Sequence, residues 1–256
     1  MEERPYKLER LIFRSRSQKL IGTLLIPSQT KVLPPGVLIM HGFPGVPPIL
    51  YDLSSSLCQE GFAPMLFHYR GCWGSGGRYS FLGALKDAQE ALEVLAQRKD
   101  VDESRLATVG HSFGGLAAIQ TAAQNSSLKA VAALCPVASL KEDITGLHSK
   151  TILVRGLPFV SGLTMTDALK EWKAITEHYD PIYYVNKISP RPFLVIHGDK
   201  DDIIPIKCST KLFSRAEEPK EIAVVNGADH IFSGKQRIVV GKTVSWLKKV
   251  ISLGQP

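Results

Sequence analysis

Leu106-Ala107-Thr108-Val109-Gly110-His111-Ser112-Phe113-Gly114-Gly115-Leu116-Ala117-Ala118-Ile119 is the stretch whose reading decides the fold. A short apolar run reaches Gly110. An alanine-rich segment carrying Leu116 and Ile119 leaves Ser112 and extends to Gln124. Strand period and helix period therefore meet at Gly-x-Ser-x-Gly. A strand that turns into a helix over so few residues pushes the serine hydroxyl out at the carboxyl edge of a sheet. Side chains at 110 and 114 would collide with the adjoining strand or helix, hence glycine at both. The helix N-terminus beneath the serine favours developing negative charge. The pattern predicts a nucleophile at Ser112.

Outward from this stretch, short apolar runs alternate with helical periodicity. Gly36–Met40 ends at His41-Gly42, Phe62–Tyr69 at Arg70-Gly71 and Ala130–Leu134 at Cys135-Pro136. Phe193–Ile196 ends at His197-Gly198 and Ile222–Val225 at Asn226-Gly227. Runs that are apolar on both faces suit parallel strands covered by helices on each side. Tyr6–Phe13 and Lys19–Ile26, around a polar turn at Ser15–Gln18, read as an antiparallel hairpin. Leu85, Ala88, Leu92 and Leu95 mark one helix, and Val240, Val244, Leu247 and Ile251 mark a C-terminal one. The expectation is a single α/β domain over residues 1–256.

Residues 138–190 break this rhythm. The stretch is longer than one crossover helix needs, and it carries Gly146, Gly156, Pro158 and Gly162. Met165, Leu169 and Trp172 then fall at helical spacing after Thr164 and Asp167, which have capping-box spacing. We read a helical insertion, a lid over one end of the sheet. Leu157, Phe159, Val160, Leu163 and Met165 are its apolar lining candidates for a pocket beneath it.

Composition excludes several classes. At 44% hydrophobic and 21% charged over 256 residues, the chain is neither disordered nor a coiled coil. Apolar runs stay strand-sized, so no stable membrane insertion is expected. The charged start MEERPYKLER has no apolar segment of a signal peptide, and the expected location is cytoplasmic. The formal charge of +7 is spread out rather than gathered in basic runs, so a nucleic-acid partner is not expected. The 4 cysteines have neither CxxC nor metal-ligand spacing, and they read as free thiols. No metal and no cofactor is called for.

A serine hydroxyl at its free pKa needs a histidine base, and the base needs an orienting carboxylate. His230, in a loop between the last strand run and the last helix, is the best-placed base. His148 and His178 fall in the insertion, His68 lies inside a strand, and His41, His111 and His197 flank glycines at strand ends. Asp199, Asp201 and Asp202 crowd together after the preceding strand, and residue type and spacing leave the choice among them open.

With these motifs in place, the chain resembles the α/β-hydrolase superfamily over nearly its whole length. The resemblance implies an eight-stranded, mostly parallel sheet with helices on both faces and a helical lid after strand six. It implies the order Ser112, acid, His230. The family's H-G-x-x-D-x-x-V-P pattern falls on His197, Gly198, Asp201, Ile204 and Pro205, with Ile204 replacing Val, and so implies Asp201 as the acid. His41-Gly42-Phe43-Pro44-Gly45 is similar to the family's oxyanion loop, which implies backbone N–H donors at Phe43 and Phe113. The chain lacks the HGGG run of the hormone-sensitive-lipase pattern. The loop from Tyr69 to Gly77 is similar to turns found in many relatives. His41, Arg70, Trp73, Leu163 and Met165 are candidate substrate contacts.

The resemblance extends to small carboxylesterases, monoacylglycerol lipases and cinnamoyl or feruloyl esterases. It implies a serine esterase acting through an acyl-enzyme on a small ester with an apolar acyl group. The run Gly110–Gly115 also resembles the catalytic domain of prolyl-oligopeptidase-like enzymes, so a stand-alone peptidase or aminopeptidase is the second expectation. An acyltransferase is the third. Fold alone does not choose among them. Oligomeric state is not readable from the residues.

Overall fold

A computed structural model describes residues 6–28, 31–139 and 146–251. The first five residues of the charged start and residues 140–145 of the insertion lie outside the described residues. Eight strands run β1 (Tyr6–Ser15), β2 (Gln18–Pro27), β3 (Pro35–Met40), β4 (Ala63–His68), β5 (Asp102–His111), β6 (Leu128–Leu134), β7 (Phe193–Gly198) and β8 (Lys220–Val225). They form one sheet in the order β1-β2-β4-β3-β5-β6-β7-β8. β1 and β2 pair antiparallel, as do β2 and β4, and every later pairing is parallel. The expected hairpin is present, with Ser15 opposite Gln18.

Helices fill the crossovers: α1 (Pro48–Gln59), α2 (Phe81–Ala96), α3 (Phe113–Gln124), α4 (Gly146–Gly156), α5 (Met165–His178), α6 (Ile206–Arg215) and α7 (Gln236–Val250). Strand alternation sends side chains to two separate cores. Leu38 and Met40 of β3 join α2 and α3 on one face. Val37 and Ile39 join α1 and α7 on the other. Residues buried on both sides explain why the parallel strands read as unbroken apolar runs. Among the described residues no helix is long and apolar enough to cross a membrane.

Among its described residues the insertion holds α4, α5 and three short 3-10 turns between β6 and β7. Thr164 caps α5: its hydroxyl accepts from the Asp167 amide at 3.1 Å and donates to the Asp167 carboxylate at 2.8 Å. Ala168 and Ile175 of α5 reach the core beneath α2 and α3, so the insertion is packed onto the domain.

Candidate active site

The loops that carry chemistry all leave the carboxyl ends of parallel strands, where side chains and helix N-termini converge. Ser112 follows β5 at the middle of the sheet, with β3 and β6 on either side. Its backbone sits at φ 58°, ψ −120°, a region that L residues adopt only when their surroundings impose it. The surroundings here are explicit. Ser112 donates its amide to Leu134 O at 2.9 Å and accepts Val137 N–H at 3.1 Å, so the turn is pinned to the end of β6. A Cβ on Gly110 would run into the Gly114 backbone, and one on Gly114 into the Met40 and His41 backbones. The expected steric reason for both glycines therefore holds, with β3 and α3 as the obstacles.

Asp201 and His230 come together from the loops after β7 and β8. His230 donates from Nδ1 to Asp201 Oδ2 at 2.7 Å, which leaves its Nε2 lone pair free to take a proton. Asp201 Oδ1 accepts the amides of Ile203 at 2.9 Å and Ile204 at 2.7 Å. Burial opposes charge on this carboxyl. The hydrogen bonds from His197 and His230, the His230 charge and the Ile204 amide outweigh it and hold the carboxyl below the usual range. Of the two other aspartates, Asp199 accepts the Gly227 amide at 2.6 Å as a turn residue, whereas Asp202 lines the cavity described next.

Ser112, Phe113, Phe43 and His230 share a cavity of about 340 Å³. Phe81 and Trp172, with ring centroids 5.2 Å apart, form much of its apolar wall. Phe113 opens α3, so its amide belongs to the first turn, whose N–H groups have no intrahelical acceptor. The His41-Gly42 turn lies directly over the serine: a Cβ on Gly42 would stand 2.9 Å from Ser112 Cβ. Cys135, Asp201 and His230 also bring three possible metal-ligand atoms within 4.8 Å of one another. The Nδ1–Oδ2 bond already occupies two of these donors, and a metal ion would have to displace its proton.

None of the five expected substrate contacts lies in the wall of this cavity. His41 is fully buried; it donates from Nδ1 to Gly42 O at 2.7 Å and accepts the Tyr69 amide at 3.4 Å. Arg70 is turned inward, donating from Nε to Asp87 Oδ2 at 3.0 Å and from Nη2 to Asp87 Oδ1 at 2.6 Å. Trp73 is exposed, and its indole N–H donates to Pro44 O at 3.3 Å. Leu163 lines a separate polar cavity with Arg70, Arg78 and Glu171, and Met165 packs on the core. Leu157 and Val160 likewise turn to the core, while Phe159 reaches the serine cavity. Of these wall residues Trp172 was legible only as a helix-face apolar position and Phe81 carried no signal of its own, because their meeting depends on how the insertion packs against α2.

Two further buried histidines stand beside the site. His197 donates from Nε2 to Ile204 O at 2.9 Å, with Asp201 Oδ2 3.2 Å away, and its Nδ1 meets the Ser209 hydroxyl at 2.6 Å. His111 donates from Nε2 to His230 O at 2.8 Å.

A family model described as the prolyl oligopeptidase family matches residues 51–254. The uncharacterized protein YfhR of Escherichia coli O157:H7 is 29% identical over 232 residues, covering 89% of this chain and 75% of its own. The human acylamino-acid-releasing enzyme is 28% identical over 213 residues, covering 77% of this chain but only 28% of its own. Among solved structures, Est1E from Butyrivibrio proteoclasticus with ferulic acid bound superposes with a TM-score of 0.76. That likeness, at 18% identity, covers 94% of this chain and 98% of Est1E. The fold is that of the α/β hydrolases.

Proposed function

Because this chain belongs to the prolyl oligopeptidase family and is a hydrolase of the α/β type, we propose that it is a serine esterase in which Ser112 is the nucleophile, His230 the base and Asp201 the acid that orients it. One observation supports this most: Ser112, on its strained turn, shares a cavity with His230, whose far nitrogen is bonded to a buried carboxylate.

The chemistry follows from the donors. His230 Nε2 takes the Ser112 hydroxyl proton as Oγ attacks the ester carbonyl. The amides of Phe43 and Phe113 hold the oxyanion, a contribution worth several kcal/mol where such donors are preorganised. The tetrahedral species collapses, the C–O bond to the alcohol breaks, and His230 returns the proton to the departing oxygen. Water then gives its proton to Nε2 and attacks the acyl-serine, and the acid leaves with Ser112 regenerated. Asp201 stays ionised throughout and steadies the imidazolium.

The aromatic wall of Phe43, Phe81, Phe159 and Trp172 suits a small ester with an apolar acyl group. We assign residues 138–190 as its cover, since Thr151, Leu153, Arg155, Phe159 and Trp172 of this segment line the cavity. All four cysteines are buried free thiols, in keeping with the cytoplasmic location we propose.

The family match favours a second reading, cleavage of an acylated amino acid or short peptide. Rates on an ester and an amide of one acyl group separate the two. The esterase reading predicts hydrolysis of the ester with little turnover of the amide. Comparable or faster amide cleavage would make the chain a peptidase.

A further inference from the structure

His111 fills the variable position before Ser112, and nothing in the proposed mechanism uses it. It is 2% exposed and ends β5, where it pairs with Leu134 in the β5–β6 ladder. Its Nε2–H bonds the carbonyl of His230, 119 residues later in the chain, at 2.8 Å. The two imidazoles lie with centroids 4.8 Å apart, and Phe232 packs on the outer side of His111 at 6.3 Å. We propose that His111 is a positioning residue for His230: its N–H fixes the His230 backbone to the same rigid element that carries Ser112, and so sets the base against the nucleophile. This rests on the reading of Ser112 and His230 given above.

Three observations carry it beyond packing. The bond ties the His230 backbone directly to the strand that bears the nucleophile, whereas the other long-range ties of this loop, such as Lys200 N to Ala228 O at 2.9 Å and His230 Nδ1 to Asp201 Oδ2 at 2.7 Å, run to the loop after β7. Among the described residues no other hydrogen bond ties the His230 backbone to β5, and a displacement of about 1 Å at a catalytic group can slow a reaction about 100-fold. The tautomer is also determined. Since Nε2 donates to a carbonyl, Nδ1 carries the lone pair, and among the described residues Nδ1 is buried without a partner. A phenylalanine would fill the same space more favourably, so the polar ring is explained by its one donor bond. Burial and the neighbouring His230 hold the ring neutral, at about 3, so the donor and its geometry persist across the working pH range.

The test compares His111→Phe, which keeps the ring and removes the donor, with His111→Gln, which restores an N–H. The readouts are kcat and KM on a soluble activated ester, and the low-field proton resonance of the His230–Asp201 bond, assigned by its loss in Asp201→Asn. His111→Phe should lower kcat about 10- to 100-fold with KM little changed, and should broaden or move the resonance. His111→Gln should recover most of both. Equal kcat and an unmoved resonance in folded His111→Phe would overturn the proposal, as would equal losses in both variants. If the wild type turned over no ester, the esterase reading would fail, while the resonance would still decide whether His111 holds the base.

Discussion

His230 Nδ1 and Asp201 Oδ2 lie 2.7 Å apart, and the other oxygen of the same carboxylate is held by the amides of Ile203 and Ile204. The carboxylate therefore cannot turn away without giving up backbone bonds, and the imidazole it holds keeps its Nε2 lone pair free. Asp201→Asn would present a donor where an acceptor is needed and favour the other tautomer. We expect kcat to fall by about 10⁴ with thermal stability nearly retained. A variant within tenfold of wild type would remove Asp201 from the mechanism.

Arg70 and Asp87 make a second, structural use of charge. Asp87 is fully buried on α2, and Arg70 closes on both of its oxygens. Breaking such a pair from one side leaves a buried charge without its partner. Asp87→Ala should lower stability by about 3–5 kcal/mol, read from urea unfolding. The folded fraction should keep wild-type kcat, because neither residue lines the serine cavity. A selective fall in kcat of the folded variant would return Arg70 to the active site.

Stability should depend on pH through His41 and His111. Burial lowers each from an ordinary 6.5 to about 3. Between those values the unfolded chain binds a proton at each ring and the folded chain does not, so acid favours unfolding. Their contribution is complete above about pH 6.5 and declines toward pH 3, by about 1.4 kcal/mol per pH unit for each ring. Urea midpoints at pH 7 and pH 5 check this, with a shallower dependence expected in His41→Gln. Equal midpoints in the wild type would contradict it.

Two glycines should respond in opposite directions. Gly114→Ala drives a methyl group into the Met40 and His41 backbones and should prevent folding of the Ser112 turn. Gly241 lies inside α7 with open space where a Cβ would stand, so Gly241→Ala should stabilise by about 1 kcal/mol. Melting temperatures of the two variants test both expectations.

The sheet was legible because its parallel strands are buried on both faces and end at glycines, as at Met40-His41-Gly42 and Val109-Gly110. Helices α1 and α6 were not read. Pro47 and Pro48 mask the start of α1, and α6 spans only 10 residues, a shorter window than helical periodicity needs to declare itself. At the site, motifs place Ser112, Asp201 and His230 because strand ends bring loops together in a fixed order. Apart from Phe159, the wall of the serine cavity was not legible. Arg70 follows a strand like a site residue, but its partner Asp87 sits 17 positions on, in a helix that no local pattern connects to it. Trp172 and Phe81 meet only through the packing of the insertion.

The central claim is that Ser112 is an activated nucleophile. Labelling with a fluorophosphonate, followed by intact mass and peptide mapping of wild type and Ser112→Ala, tests it most directly. We predict one adduct, on Ser112, absent from the variant. A folded wild type without an adduct, or one labelled equally in both proteins, would contradict the account.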